Sequence, residues 1–123
     1  MEKEFNLQPT ASEYGKVLGG IRELVPGNDV KKILVACEEW FQNLLTYSGA
    51  TGIRVHMKKD GTDLIVIFTD DGMPFDPTEY HSDRQFEDFD LGGMGISMMR
   101  EIAAVMKYER VDEKNQLTLV FHV

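Results

Sequence analysis

The 123 residues are enough for one domain with one core, and an apolar share of 42% lets such a chain fold without a staple. A net charge of -8 argues against a nucleic-acid or anionic-membrane surface, and leaves any bound polyphosphate to be neutralised by a metal ion or a helix end. The lone Cys37 excludes an internal disulfide framework and zinc-type spacing, no apolar run is long enough to span a bilayer, and the charged start MEKEFNLQ lacks a signal-peptide core, so a cytoplasmic protein is expected.

In chain order, Glu4 to Leu7 reads as a short edge strand stopped by Pro9. Tyr14, Val17, Leu18, Ile21 and Leu24 fall at helical spacing, which predicts a helix over 11–24 capped by Thr10 or Ser12. Pro26-Gly27-Asn28 breaks it. A second helix follows from about Asp29 to Tyr47, with one broad apolar stripe through Ile33, Leu34, Cys37, Trp40, Phe41, Leu44 and Leu45. Ser48 to Gly52 is a loop. Ile53, Val55 and Met57 alternate with polar residues as in a half-buried strand, and Asp60-Gly61 turns the chain into a central strand over 63–69. Residues 73–91 are irregular. A third helix opens in Gly92-Gly93-Met94-Gly95 and runs to about Ala104, and Met106–Val111 with Gln116–Val123 reads as a final hairpin. Helices this few cover one face of the sheet. The expected fold is a single α/β domain over 1–123, a two-layer sandwich with a mixed, mostly antiparallel sheet.

Three places can carry chemistry. Glu39 and Asn43 lie four apart, so they stack on one helix face at the edge of the apolar stripe. A carboxylate there can be tuned as a base, and a carboxamide oxygen one turn on can bind a hard cation. Alone, the pair reads more simply as a solvated helix edge. Asp70-Asp71-Gly72-Met73-Pro74 ends the central strand; an aspartate there can accept a hydrogen bond from an exocyclic amine, and Gly72 lets a flat ring approach the backbone, while Met73 can line it. The simpler reading is a turn. Gly93, Met94, Gly95 and Ile96 open a helix, where several backbone N–H groups can converge on an anion. A hinge explains the glycines equally well. The stretch is neither a P-loop nor a dinucleotide fingerprint. His56, His81 and His122 are scattered, and Cys37 and the methionines read as core filling.

Together, and in this order, the three resemble the nucleotide-binding boxes of the GHKL ATPases, whose fold is the Bergerat fold. Glu39-x-x-x-Asn43 resembles the N box, Asp70-x-Gly72 the first glycine box and Gly93-x-Gly95 the second. "DDGMPFDP", "LGGMGISMMREI" and a hairpin ending "NQLTLVF" narrow the resemblance to the small anti-sigma-factor serine/threonine kinases. Tyr47 stands where relatives often carry a histidine, and Ala104 where they often carry an aspartate.

The resemblance implies ATP and Mg2+ as cofactors. Glu39 would be the general base and Asn43 the magnesium ligand. Asp70 would bind the adenine amine, and Gly72 would admit the ring. Gly93, Met94, Gly95 and Ile96 would offer N–H groups to the phosphates, and Thr118 would support Asp70 through its hydroxyl or a water. Residues 78–91 would be the ATP lid, expected to be mobile without nucleotide. The implied activity is phosphorylation of a small antagonist protein (an anti-anti-sigma, STAS-type protein), with a sigma factor as second partner and a homodimer as the assembly. The alternative is a nucleotide-gated binding module that transfers nothing.

Overall fold

The computed structural model describes residues 1–27, 30–79 and 93–123. They form strand β1 (Glu2–Leu7), a 3-10 turn (Ala11–Glu13), helices α1 (Tyr14–Leu24) and α2 (Val30–Asn43), and a π-type turn (Leu44–Ser48). Strands β2 (Ile53–Asp60) and β3 (Asp63–Asp70), helix α3 (Gly93–Ile102), and strands β4 (Val105–Val111) and β5 (Lys114–His122) follow. The element order is the one expected from sequence. The first helix opens in a 3-10 turn and the second closes in a π-type turn, which the spacing alone did not distinguish from regular helix. Most of the expected lid, residues 80–91, lies outside the described residues, as does Gly92.

The sheet order is β1-β2-β3-β5-β4, and all four ladders are antiparallel. The expected mixed sheet is thus a purely antiparallel one among the described residues. Period-two alternation sends Val55 and Met57, then Leu64, Val66 and Phe68, then Leu117, Leu119 and Phe121 to one buried face. Val17 and Ile21 of α1, Trp40 and Phe41 of α2, and Ile96 and Met99 of α3 cover that face and bury fully against it. The result is a two-layer α/β sandwich. α1 and α2 are joined by Tyr14, whose hydroxyl donates to the Leu34 carbonyl at 2.6 Å and whose ring lies 5.5 Å from Phe41. Among the described residues no helix covers the other sheet face. Across it Ile65, Val120 and Val105 stand in one row, and Val105 is half-exposed.

Two tight turns fix the register. Asp60 pairs with Asp63 across Gly61, whose φ of 62° suits a glycine. Val111 pairs with Lys114 across Asp112 and Glu113, which hold φ of 52° and 64° without a glycine. That second turn sets Arg110 opposite Asn115, while β3 sets Asp70 opposite the same Asn115. The end of β3 also meets the end of α2, because the Met73 N–H donates to the Ser48 carbonyl at 2.9 Å. Elements far apart in the chain therefore converge at one end of the sheet.

Candidate functional site

A cavity of about 470 Å³ opens there, within the usual range for a small-molecule site. One wall is the last face of α2 and its closing turn: Trp40, Asn43, Leu44 and Tyr47, spaced so that all four point the same way. The opposite wall is Met73, Pro74 and Phe75. Ile96 of α3 and Asn115 of β5 complete the lining with Ser48. Phe75 stacks on Trp40 with ring centroids 6.3 Å apart and planes 17° apart. Trp40 is buried, and its indole N–H has no acceptor among the described residues.

Behind the lining, next to Asn115, lies a buried carboxylate: Asp70 is 2% exposed. Its Oδ1 accepts from the Gly72 N–H at 2.9 Å and from Asn115 Nδ2 at 3.1 Å. Its Oδ2 is buried with no partner among the described residues. Burial raises the Asp70 pKa, the hydrogen bonds from Asn115 and Gly72 pull it back, and the charges of Asp71 and Arg110 push in opposite directions. Its neighbour Asp71 has the reverse environment. It is exposed, accepts from the Thr51 hydroxyl, the Thr51 N–H at 2.8 Å and the Gly52 N–H at 3.2 Å, and these bonds lower its pKa. Asp71 therefore fastens the loop after α2, and Asp70 is the carboxylate with capacity to spare.

At the other end, Glu39 leans on the opening of α3. A Cβ placed on Gly95 would run into the Glu39 carboxylate, so only glycine lets that carboxylate sit against the helix. Glu38 is exposed and points away. The segment leaving Asp70 is tied to α3: Arg100 donates to the Pro77 carbonyl at 2.8 Å, and Asp76 accepts from the Thr78 N–H at 2.8 Å.

Arranged on this fold, an apolar cavity adjoins one buried carboxylate with an unmet oxygen, through Asn115, and reaches Ile96 in the first turn of a glycine-led helix. A family model, the histidine kinase-like ATPase domain, matches residues 9–121. This chain belongs to that family. It is 26% identical over 97 residues to the serine/threonine-protein kinase BtrW of Bordetella bronchiseptica, covering 73% of this chain and 68% of that protein. Among solved structures it is similar to the RsbU and RsbW domains of a Mycobacterium tuberculosis protein, with a TM-score of 0.69 at 17% identity. That match covers 99% of this chain but only 32% of the longer one. The catalytic domain of histidine kinase ThkA aligns with a TM-score of 0.57 at 17% identity, over 99% of this chain and 97% of that one. At such identities the structural likeness speaks to the fold, and it agrees with the Bergerat-fold resemblance.

In this histidine kinase-like ATPase domain, Asn43, Met73 and Ile96 line the cavity, Asp70 lies behind the lining and is held by Asn115, and Glu39 and Gly95 touch each other. Gly93 and Met94 are in the first turn of α3. A Cβ on Gly72 would lie 2.5 Å from the Ser48 carbonyl and 2.9 Å from Asp70 Oδ1, so its lack of a side chain serves the approach of two chain segments. One expectation needs correcting. Thr118 does not support Asp70. It pairs with Ile67 on the uncovered face of the sheet, whereas Asp70 and Asn115 share the helix-covered face. The last strand, expected from Gln116, begins at Lys114 and so includes Asn115. The alternation of Leu117, Leu119 and Phe121, continued back by two, puts Asn115 at a buried position as a polar residue. Trp40 is both core and a cavity wall.

Proposed function

We propose that this protein binds ATP with magnesium and transfers the terminal phosphoryl group to a serine or threonine of a small antagonist protein, in the manner of an anti-sigma-factor kinase. The observation that carries the nucleotide part is Asp70 Oδ2, a buried acceptor without a partner among the described residues, on a carboxylate hydrogen-bonded to Asn115 of the cavity lining. A buried unmet acceptor is costly unless a ligand supplies the donor, and the exocyclic amine of adenine is such a donor. Trp40, Met73 and Phe75 provide apolar surface for the ring. Gly93, Met94, Gly95 and Ile96 would turn backbone N–H groups toward the phosphates, which the acidic chain cannot neutralise with lysines. Asn43 would hold magnesium through its carboxamide oxygen; the ion would supply charge neutralisation of the phosphates. Glu39 would accept the proton of the attacking hydroxyl, and positioning and electrostatics would supply most of the rest.

The kinase part rests on the likeness to BtrW and on Glu39 standing at the opening of α3. A homodimer belongs to the same proposal, with the apolar row of Ile65, Val120 and Val105 as the surface it would cover. The protein is incubated with labelled ATP and candidate antagonist proteins. Label on the partner supports the kinase. Nucleotide-dependent partner binding without transfer makes it a nucleotide-gated module, and no nucleotide binding refutes the whole reading.

A further inference from the structure

Asn115 is 3% exposed and shares its sheet face with Leu117, Leu119 and Phe121. An amide among apolar residues is costly unless its bonds are met. Here all of them are. Nδ2 donates to Asp70 Oδ1 at 3.1 Å and to the Met73 carbonyl at 2.8 Å, with the Gly72 carbonyl at 3.4 Å. Oδ1 accepts from Arg110 Nη1 at 3.1 Å and from the Tyr108 hydroxyl. Turning the amide over would set its NH2 against two donors and its oxygen against a carboxylate and two carbonyls. Its orientation is therefore fixed by its partners. Arg110 also donates to the Gly72 carbonyl at 2.9 Å, so the β4–β5 hairpin grips both Asn115 and the chain that follows Asp70.

This arrangement uses up one oxygen of Asp70 and spares the other. We propose that Asn115, locked by Tyr108 and Arg110, is the positioning residue that leaves Asp70 a single acceptor oxygen for the base, and so makes the site prefer a 6-amino purine to a 6-oxo purine. The inference rests on the adenine-nucleotide reading of the cavity. An amine at purine position 6 donates to Oδ2. A carbonyl there sets acceptor against acceptor, a mismatch that polar sites reject strongly.

The preference lasts only while Asp70 carries no proton, since a protonated Oδ2 would donate to the 6-oxo group. Burial, foremost, and the charge of Asp71 favour the proton; Asn115, the Gly72 N–H and Arg110 oppose it. Arg54 of β2 and Lys114 of β5 line the cleft on the outer side of Asp70 and stay in place in every variant below. The Tyr108 hydroxyl acts on Asn115 rather than on Asp70.

The test measures ADP and inosine diphosphate binding by calorimetry from pH 6 to pH 8 for wild type, Asn115→Ala, Arg110→Gln and Tyr108→Phe. The Asp70 carboxyl is titrated by NMR in the ligand-free proteins. Wild type should favour ADP. Asn115→Ala and Arg110→Gln should shrink the ADP-to-inosine ratio by about ten-fold, the worth of one buried hydrogen bond, and more so at pH 6 than at pH 8. The Asp70 midpoint should move up in both. Tyr108→Phe, which keeps the ring, should give a smaller change of the same sign. If Asn115→Ala does not fold, Arg110→Gln carries the test. An unchanged ratio and an unchanged midpoint in folded Arg110→Gln overturn the positioning role. A wild type that binds neither nucleotide overturns instead the reading of the cavity, and the Asp70 midpoints then still judge the role of Asn115.

Discussion

The two glycines near the cavity meet their neighbours with different kinds of atom. At the Asp70 end, Gly72 is pressed by the Ser48 backbone and by an Asp70 carboxylate that is itself hydrogen-bonded on one side. At the α3 end, Gly95 is pressed chiefly by the tip of the Glu39 side chain. Backbone cannot yield without moving two chain segments, whereas a side-chain tip can rotate away. The Asp70 end is thus built to hold one geometry, and the α3 end to let a carboxylate move. Reading a base needs the first property, and accepting a proton from an incoming hydroxyl needs the second.

The largest expected effect tests the yielding end. Glu39→Gln keeps shape and removes basicity, so phosphoryl transfer to a cognate partner should fall by about 10²–10⁴-fold. ADP affinity should stay nearly unchanged, the pattern of a contact made only in the transition state. Glu38→Gln, on the exposed side of the helix, should leave both alone. Transfer that survives Glu39→Gln would remove the general base from the proposal.

The next pair sets the ends against each other directly. Gly72→Ala should cost about 1–3 kcal/mol in stability, the usual toll of overpacking, and should weaken ADP binding by displacing Asp70. Gly95→Ala should leave thermal stability within about 0.5 kcal/mol, since Glu39 can swing out and alanine favours helix, yet transfer should drop. Melting curves and transfer rates of the two proteins decide it. Equal loss of stability in both would erase the distinction between a rigid and a yielding end.

A smaller effect concerns the buried carboxylate, and its sign follows from linkage. The folded-state pKa of Asp70 lies above its ordinary value of 3.8. Below that value both folded and unfolded chains hold the proton and nothing is lost. As pH rises through the interval just above it, the unfolded chain ionises first, so stability falls, and at neutral pH the full cost remains. Asp70→Asn should therefore stabilise the protein at pH 7 by roughly 1 kcal/mol, because an unmet neutral amide costs less than a buried charge. The same change should abolish the preference for adenine, since the amide can turn a donor toward the amine. Thermal melts from pH 4 to pH 7 should show a flatter profile for the variant; an unaltered profile would mean the charge is not buried as described.

The smallest change lies outside the cavity. Glu113 holds a φ of 64°, a left-handed conformation that costs a side chain about 1–2 kcal/mol relative to glycine. Glu113→Gly should recover up to about 1 kcal/mol in urea unfolding without altering nucleotide binding, because it keeps the register of Arg110 opposite Asn115. A shifted ADP affinity would show that the strained turn also tunes the surroundings of Asp70.

Much of this protein was legible in its sequence, because alternation and helical spacing are local. The strands, the three helices, the exposed Glu38 beside the half-buried Glu39, and Asn43 on the same helix face all follow from the 2.0 and 3.6 residue periods. What the sequence could not decide depends on partners 20 to 45 residues away. "DD" gives no sign of which aspartate is buried; the β3–β5 ladder buries Asp70, and the Thr51 loop claims Asp71. The family resemblance implies Thr118 as the support of Asp70, yet the register turns Thr118 to the other face and brings Asn115 to Asp70 instead. A strand shifted by one residue exchanges its faces, so a contact across a sheet is fixed by turn geometry and pairing rather than by residue type. Composition and period determined the layers and the helix-borne pair; only the assembled sheet, with Arg110, Asn115 and Asp70 in one row, decided which atoms surround the buried carboxylate beside the cavity.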